Sequence, residues 1–333
     1  MSLVDRQEDV KETSAPRRTP GLAAALPGLL ILFSIGLIVF AERVAPGFAS
    51  ASNLMQLLKL ASFLGLVALG QTVVMLVGGI DLSLAWVLTA SAVLFTSICL
   101  GQDANLPLAA AAAIAIGVLS GLVNGFGIVK LRIAPIIMTL AMNNVMLGAT
   151  LVYTGGNPGG GISPFIRAVA TGSIAGIPWM VVLWAVVAFC AIVAIRYSRW
   201  GRRLLAVGEN SRVSFLSGIN NDAIVIGAYV FSGIMASVTG ILFAAFSGAS
   251  FLGMGDQFLL PAIAAVVLGG TSMFGGRGGY GGTVAAVFFA TILSTVLVIG
   301  SISAGMRNVI FGVAVLAAVI AQKLLARGED QSM

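Results

Sequence analysis

The chain has 333 residues, of which 59% are hydrophobic and only 9% are charged, and its mean hydropathy is +1.06. A soluble domain is usually about 25% charged, so this composition excludes a globule with a water-covered surface. The apolar residues also stand in long blocks, a distribution typical of a protein with several membrane-spanning helices.

The chain begins with a stretch of mixed charge that we interpret as a cytoplasmic tail over residues 1–22, followed by an uncleaved first helix rather than a removed signal peptide. Because about 20 apolar residues cross a bilayer, we predict an all-α integral membrane protein with about ten transmembrane helices, some short or broken. The membrane domain is predicted at 23–326, and a second cytoplasmic tail at 327–333. The predicted spans are 26–45, 53–77, 82–101, 106–129, 133–153, 177–196, 223–246, 257–272, 282–300 and 303–326.

Two of these spans are less regular than the others. The span 133–153 contains Pro135, Asn143 and Asn144, and the span 257–272 is short and contains Pro261. Either is compatible with a half-helix or a re-entrant segment shielded by protein, so nine to eleven crossings are expected.

The distribution of positive charge predicts the orientation. With the N-terminus inside and ten crossings, 14 of the 18 Lys and Arg residues lie on the inner side, three lie outside, and Lys59 lies within a span. This bias predicts that both termini are inside. The basic charge therefore orients the chain among membrane lipids, and no nucleic-acid partner is predicted.

Residues for soluble-enzyme chemistry are scarce. The chain has no histidine, and its two cysteines, Cys99 and Cys190, stand in apolar spans, which excludes a His/Cys metal site and a disulfide scaffold. The longest hydrophilic stretches, 153–176 outside and 197–222 inside, are too short for a nucleotide-binding domain of about 100 residues. No metal, cofactor or catalytic residue is predicted, and any ATP hydrolysis must come from another chain.

Glycines within the predicted spans indicate close helix packing. Gly117, Gly121 and Gly125 form two overlapping G-x-x-x-G patterns, which let membrane helices approach one another. They predict packing within the bundle or, alternatively, a homodimer seam.

A polar break follows the second span, in Val77-Gly-Gly-Ile-Asp-Leu-Ser-Leu84. Gly78 and Gly79 can end a helix, and Asp81 can cap the next one by accepting backbone N–H groups. An acid at membrane depth is also a functional candidate, so substrate contact and proton coupling stay open. Amides and hydroxyls within spans can line a path for a neutral solute. The pathway candidates are Gln71, Asp81, Ser83, Asn124, Asn143 and Asn144.

Two inner segments are candidates for contacts with other molecules. The turn 269–282 holds Gly276, Arg277 and Gly278 and matches G-x-G-x-x-G, but no βαβ unit surrounds it, so we predict a tight turn or a partner contact. The loop 200–220 mixes apolar and charged residues, as in a short amphipathic helix. Such a helix can lie on the membrane or dock on a partner.

Several of these motifs, in the same order, resemble the ribose-type monosaccharide permeases of ATP-binding-cassette importers. The resemblance covers residues 50–322 and rests on the following segments: Gly78-Gly-Ile-Asp-Leu-Ser83, Gly121-Leu-Val-Asn-Gly125, Lys130–Leu140, Leu216-Ser-Gly-Ile219, Ala262–Ser272 and Gly275-Gly-Arg-Gly278.

The resemblance implies a permease subunit of the inner membrane that forms a sugar pathway but is no enzyme. It implies cassette ATPase subunits that use ATP and magnesium, a periplasmic sugar-binding protein, and a second permease copy or paralogue. It also makes the inner loop an ATPase-coupling segment, in which the candidate residues are Gly201, Leu205, Gly208, Glu209, Asn210, Leu216, Ser217, Gly218 and Ile219.

The chain departs from the family pattern in the coupling loop, before Ala262 and, mildly, after Ser83, where Leu84-Ala85 replaces Val-Gly. The coupling loop reads Gly208-Glu-Asn-Ser-Arg-Val-Ser-Phe215 where the family has Gly-Gly-Asn and paired alanines, and Leu259-Leu-Pro261 replaces Glu-Leu-Asp.

Alternative solutes are a nucleoside, a signalling sugar or a branched-chain amino acid. The alternative from another class is an ion-coupled secondary transporter.

Overall fold

A computed structural model describes residues 26–330, with side chains from 27 to 320. The predicted N-terminal tail 1–22 lies outside these residues. The chain forms helices joined by short connections, with one two-stranded hairpin. The elements are α1 (Leu26–Val44), α2 (Ala51–Leu76), α3 (Leu84–Cys99), α4 (Leu106–Val129), α5 (Pro135–Thr154), α6 (Pro164–Thr171), β1 (Ser173–Ile174), β2 (Ile177–Pro178), α7 (Trp179–Tyr197), α8 (Arg199–Glu209), α9 (Ser211–Leu216), α10 (Asn221–Ser247), α11 (Asp256–Leu268), α12 (Tyr280–Ile299) and α13 (Ala304–Asp330).

Each predicted span coincides with one helix, and the all-α membrane class agrees with this architecture. Within the described residues, seven helical stretches are long and apolar enough to cross a bilayer: Pro27–Val44, Ala51–Leu76, Asp103–Val129, Pro135–Thr154, Trp179–Tyr197, Asn221–Ser247 and Tyr280–Ile299. Three further apolar helices, 84–99, 256–268 and 304–320, are shorter. The count of ten crossings and the inward orientation of both termini therefore remain predictions.

The two irregular spans differ in outcome. Residues 135–154 form one continuous helix, because Pro135 occupies its first turn, where a missing N–H costs no hydrogen bond. The α11 helix has only 13 residues and contains Pro261. At the C-terminus, α13 continues to Asp330, so the predicted tail at 327–333 begins within a helix.

The α2 helix runs through the middle of the bundle. Ser50 accepts the backbone N–H of Asn53 at its start, and every residue from Ala61 to Leu76 is buried. It packs against α7, α10, α11 and α12. At its midpoint, the Tyr280 hydroxyl donates to the Gly65 carbonyl over 2.6 Å and accepts from the Trp184 indole over 2.8 Å. Helix α2 is apolar on all sides, and its central part is surrounded by other helices of the protein rather than by lipid.

The two ends of the bundle carry different elements. At one end, which we call the α8 end, α8 and the turn 269–279 contact the last residue of α2. At the opposite end, which we call the hairpin end, the glycines of 159–161 pack on the end of α3, and the β1–β2 hairpin follows nearby in the chain. Helices α2 and α3 connect these two ends.

The glycine pattern packs α4 against α10 within the chain. A β carbon at Gly117 would overlap the Gly233 carbonyl oxygen, and one at Gly121 would lie 2.5 Å from the Tyr229 carbonyl oxygen. A β carbon at Gly125 would lie 2.7 Å from the Ile226 α carbon. The packing prediction is confirmed, and the alternative homodimer seam is wrong for these glycines, because α10 of the same chain already covers them.

Replacing Gly233 with leucine tests this close packing. We expect Gly233→Leu to lower the thermal midpoint of the detergent-purified protein by about 5 °C or more, because overpacked helices must separate. Gly227→Leu on the same helix is the matched control, because no neighbouring atom lies within 4 Å of a β carbon there. Fluorescence-detected size exclusion after heating gives both midpoints, and equal midpoints for the two variants would contradict the packing argument.

Candidate functional site

The chain between α2 and α3 forms a tight, buried turn. The α2 helix ends at Leu76, and Gly78 has a φ of +80°, a backbone conformation that favours glycine. A β carbon at Gly79 would overlap the hydroxyl of Tyr229 on α10. The predicted break therefore exists, and both glycines are needed for the turn to enter the bundle.

The carboxylate of Asp81 lies in this turn and is 1% exposed. It accepts the Ser83 backbone N–H over 2.9 Å and the Ser83 hydroxyl over 2.6 Å, and its other oxygen accepts the Ser232 hydroxyl over 2.7 Å. The capping prediction is therefore only partly right. Asp81 accepts the N–H that immediately precedes α3, and its second oxygen binds α10 instead of the helix start.

Two predicted amides lie beside this carboxylate. The Gln71 side-chain oxygen accepts the Asp81 backbone N–H over 3.3 Å, and the Asn124 amide donates to the Ser83 hydroxyl over 2.9 Å. We call Gln71, Asp81, Ser83, Asn124, Tyr229 and Ser232 the polar cluster. All six are at most 1% exposed. Gln71 Nε2, Asn124 Oδ1 and Tyr229 Oη have no hydrogen-bond partner within the described residues.

The sequence reasoning missed two members of the polar cluster. Ser232 and Tyr229 stand in an apolar stretch of α10, where a serine or a tyrosine usually has only a packing role. The sequence feature that could have identified them is their spacing, because residues three apart on a helix lie on the same face. That face could be assigned to Asp81 only once the pairing of α10 with the α2–α3 turn was known.

The remaining pathway candidates lie apart from the polar cluster, on α5. Asn144 is exposed and donates to the Leu140 carbonyl over 2.9 Å, while Asn143 is half-buried. Closer to the start of α5, the Thr139 hydroxyl contacts the Ile80 carbonyl over 3.2 Å. The six predicted pathway residues therefore form two groups: four in the buried cluster and two on α5.

The loop 197–222, which we predict to be on the inner side, forms two helices. The α8 helix buries Gly201, Leu204 and Val207 and exposes Arg202 and Arg203. The predicted amphipathic helix is thus present, with its apolar side against the bundle. Leu205 is half-buried, and Glu209 is exposed at the end of the helix.

The second helix, α9, projects apolar side chains. Asn210 starts it by accepting the backbone N–H groups of Arg212 and Val213, both over 3.0 Å. Leu216 is 77% exposed and Phe215 is 69% exposed, although both are large and apolar. Ser217 and Gly218 follow in an exposed turn, and Ile219 is half-buried.

Three backbones meet where α8 reaches the end of α2. The Gly276 N–H donates to the Leu76 carbonyl over 3.0 Å, and a β carbon at Gly208 would overlap that same carbonyl oxygen. A β carbon at Gly275 would lie 2.8 Å from the Gly78 nitrogen. We call Leu76, Gly78, Gly208, Gly275 and Gly276 the glycine junction. Any side chain at its centre would force α8 away from α2.

Charged and polar groups flank the glycine junction. Arg277 pairs with Glu209 over 3.5 Å, and both side chains are more than half exposed, so this pair adds little stability. Gly278 lies against Thr271 within the same turn. The turn candidates Gly276, Arg277 and Gly278 are therefore beside the coupling candidates Gly208 and Glu209.

At the hairpin end, hydroxyl and carboxylate groups hold the connections. Asp103 accepts the Ser163 hydroxyl and the Phe165 N–H. Thr96, near the end of α3, contacts the Ser250 hydroxyl over 2.7 Å and the Gly159 carbonyl over 3.2 Å. Within the described residues, no three His, Cys, Asp or Glu side chains lie close enough to share a metal ion.

The chain matches a known family over most of its length. The model of the family described as the permease component of branched-chain amino acid transport systems matches residues 53–321. The ribose import permease of Escherichia coli K12 is 34% identical over 85% of this chain and 89% of its own. The corresponding protein of Bacillus subtilis is 34% identical over 85% of this chain and 88% of its own.

A second kind of relative is about as similar to this chain as the ribose permeases are. The autoinducer 2 import system permease of Shigella flexneri is 33% identical over 83% of this chain and 82% of its own. No solved structure gives a significant match. The chain therefore belongs to the branched-chain amino acid and ribose-type permease family of ATP-binding-cassette importers, as a transport subunit of the inner membrane and not an enzyme.

Proposed function

We propose that the chain forms the translocation pathway for a monosaccharide, a ribose-like sugar or a related polyol, delivered by a periplasmic binding protein. The observation that carries the proposal is the glycine junction, which joins an exposed inner arm, α8–α9, to the buried central helix α2. Such an arm gives an external ATPase direct mechanical access to the bundle.

A neutral, hydroxylated solute suits the polar groups within the helices. Asn143 and Asn144 of α5 are amides, which exchange hydrogen bonds with hydroxyl groups without the cost of a buried charge. The ribose importers named above support a monosaccharide. The autoinducer 2 permeases keep a signalling sugar as the second candidate.

We assign α9 and its neighbours as the docking surface for a separate cassette ATPase, which uses ATP and magnesium. Phe215, Leu216 and Val213 are exposed beside Arg212, and Phe274 of the neighbouring turn is 70% exposed. A short helix with apolar anchors fits a groove on a partner. The α8 end is then cytoplasmic, which agrees with the positive-inside orientation and with both termini inside.

We place a second permease copy, or a paralogue, against α5. Asn144 is exposed there between Leu140 and Val145, which are 49% and 57% exposed. An amide facing lipid loses hydrogen bonds, whereas an amide facing another permease can line an aqueous path between the two chains. The sugar-binding protein would then meet the hairpin end, where the path opens outside.

Reconstitution of the complex tests the transport proposal. We expect proteoliposomes that hold this chain, its cassette ATPase and its binding protein to accumulate a radiolabelled sugar only with ATP, because hydrolysis in the separate ATPase would drive each transport cycle. The panel is D-ribose, D-galactose, myo-inositol and leucine, with vesicles lacking the ATPase as the control. Uptake by the permease alone under a proton or sodium gradient would contradict the proposal.

A charge placed on α9 tests the docking surface. We expect Leu216→Asp to weaken binding of the ATPase by about tenfold or more, because a buried apolar anchor becomes a desolvated carboxylate. Phe165→Asp is the matched control, since Phe165 is 60% exposed on α6 at the hairpin end. Affinity of the purified permease for the ATPase, measured by biolayer interferometry, should change in the first variant alone. Equal affinities for both variants would exclude α9 from the interface.

A further inference from the structure

The α2–α3 turn lies directly between the glycine junction and the polar cluster. The Leu76 carbonyl binds the Gly276 N–H at one end of the turn, and Asp81 follows five residues later. A β carbon at Gly78 would lie 3.2 Å from the Phe274 carbonyl oxygen, so the turn is packed on the glycine junction without intervening side chains. A displacement of α8 therefore moves this turn.

Asp81 attaches the turn to α10 through its two carboxyl oxygens. Its carboxylate accepts from two donors of Ser83 and one of Ser232, and no cation pairs with it, since the ion pairs among the described residues are Lys130–Asp222 and Arg277–Glu209. A buried carboxylate that loses a donor is strongly destabilised. The turn and α10 must then move together.

The Ser83 hydroxyl, which donates to Asp81, extends this connection to α4. Asn124 donates to the Ser83 hydroxyl, and α4 packs on α10 through the backbone contact of Gly117 with Gly233. Helices packed this closely are expected to shift as one body rather than slide on side chains. The turn, α10 and the inner half of α4 thus form one mechanical unit.

We infer that Asp81 is a positioning residue of the transport cycle, whose carboxylate transmits movement of the α8–α9 arm to α10 and α4. The inference rests on the proposed function, because it assumes that an ATPase moves this arm. Asp81 acts through its neighbours and touches no solute, since every member of the polar cluster is packed away from open space.

The experiment compares two serines of α10 in the reconstituted complex. Ser232 donates to Asp81, whereas Ser237 contacts the Ser91 hydroxyl over 2.7 Å; both serines are at most 1% exposed. The variants are Asp81→Asn, Ser232→Ala and Ser237→Ala. Radiolabelled D-ribose is the probe, or the panel sugar that the wild-type complex takes up. The measured quantity is the number of ATP molecules hydrolysed for each sugar accumulated.

We expect this ratio to rise by about tenfold or more in Asp81→Asn and Ser232→Ala, because the carboxylate no longer ties the turn to α10. Ser237→Ala should stay within about twofold of wild type. If Asp81→Asn fails to accumulate in the membrane, the ratio measured for Ser232→Ala tests the inference. That variant removes the donor on α10 but leaves the Asp81 carboxylate in place.

Three outcomes would overturn the inference: an unchanged ratio with uptake and hydrolysis falling together, a higher KM for sugar in Asp81→Asn at an unchanged ratio, or an equal rise in Ser237→Ala. A wild-type complex without ATP-driven uptake would contradict the proposed function instead, so the two failures are distinguishable.

Discussion

The structure depends on the contact between the end of α2 and the backbone of its neighbours. The Leu76 carbonyl has no partner within its own helix, and the Gly276 N–H satisfies it while Gly208 packs directly on its oxygen. Because glycine has no side chain, α8 can approach α2 at backbone distance. The α8–α9 arm at the bundle surface is thereby joined to the buried central helix α2.

This contact also explains why a charged residue is retained in the core. If an ATPase moves the α8–α9 arm, the α2–α3 turn needs a specific, directional attachment to α10, which apolar packing does not supply. Asp81 provides it with three donors, and Ser83 carries the connection to Asn124. Gln71 Nε2, Asn124 Oδ1 and Tyr229 Oη have no hydrogen-bond partner among the described residues, so these groups can take up other partners. Such a cluster is suited to rearrange during a cycle of alternating access.

Local patterns predicted much of the fold but little of the site's assembly. Long apolar runs located each of the ten predicted spans within a few residues of a helix, because the bilayer demands continuous hydrogen-bonded helix whatever the tertiary contacts. Gly78 and Gly79 indicated the break for a similar local reason. The meeting of Gly208, Leu76 and Gly276 joins three distant segments, and hydropathy carries no information about such pairing. For the same reason Ser232 was missed, and Asn143 and Asn144 were grouped with Asp81 although α5 carries them elsewhere.

The central claim is that the α8–α9 arm and the 269–279 turn stay joined at the glycine junction and move as one body. It can be tested with spin labels at Arg203 of α8 and Phe274 of the turn, both exposed, in a chain whose Cys99 and Cys190 are replaced by alanine. Pulsed electron paramagnetic resonance gives the distance between the labels in the reconstituted complex, without nucleotide and after trapping with ATP and vanadate. The account predicts the same distance in both states. A change of about 5 Å, one helical turn, would show that the glycine junction opens and would contradict the account.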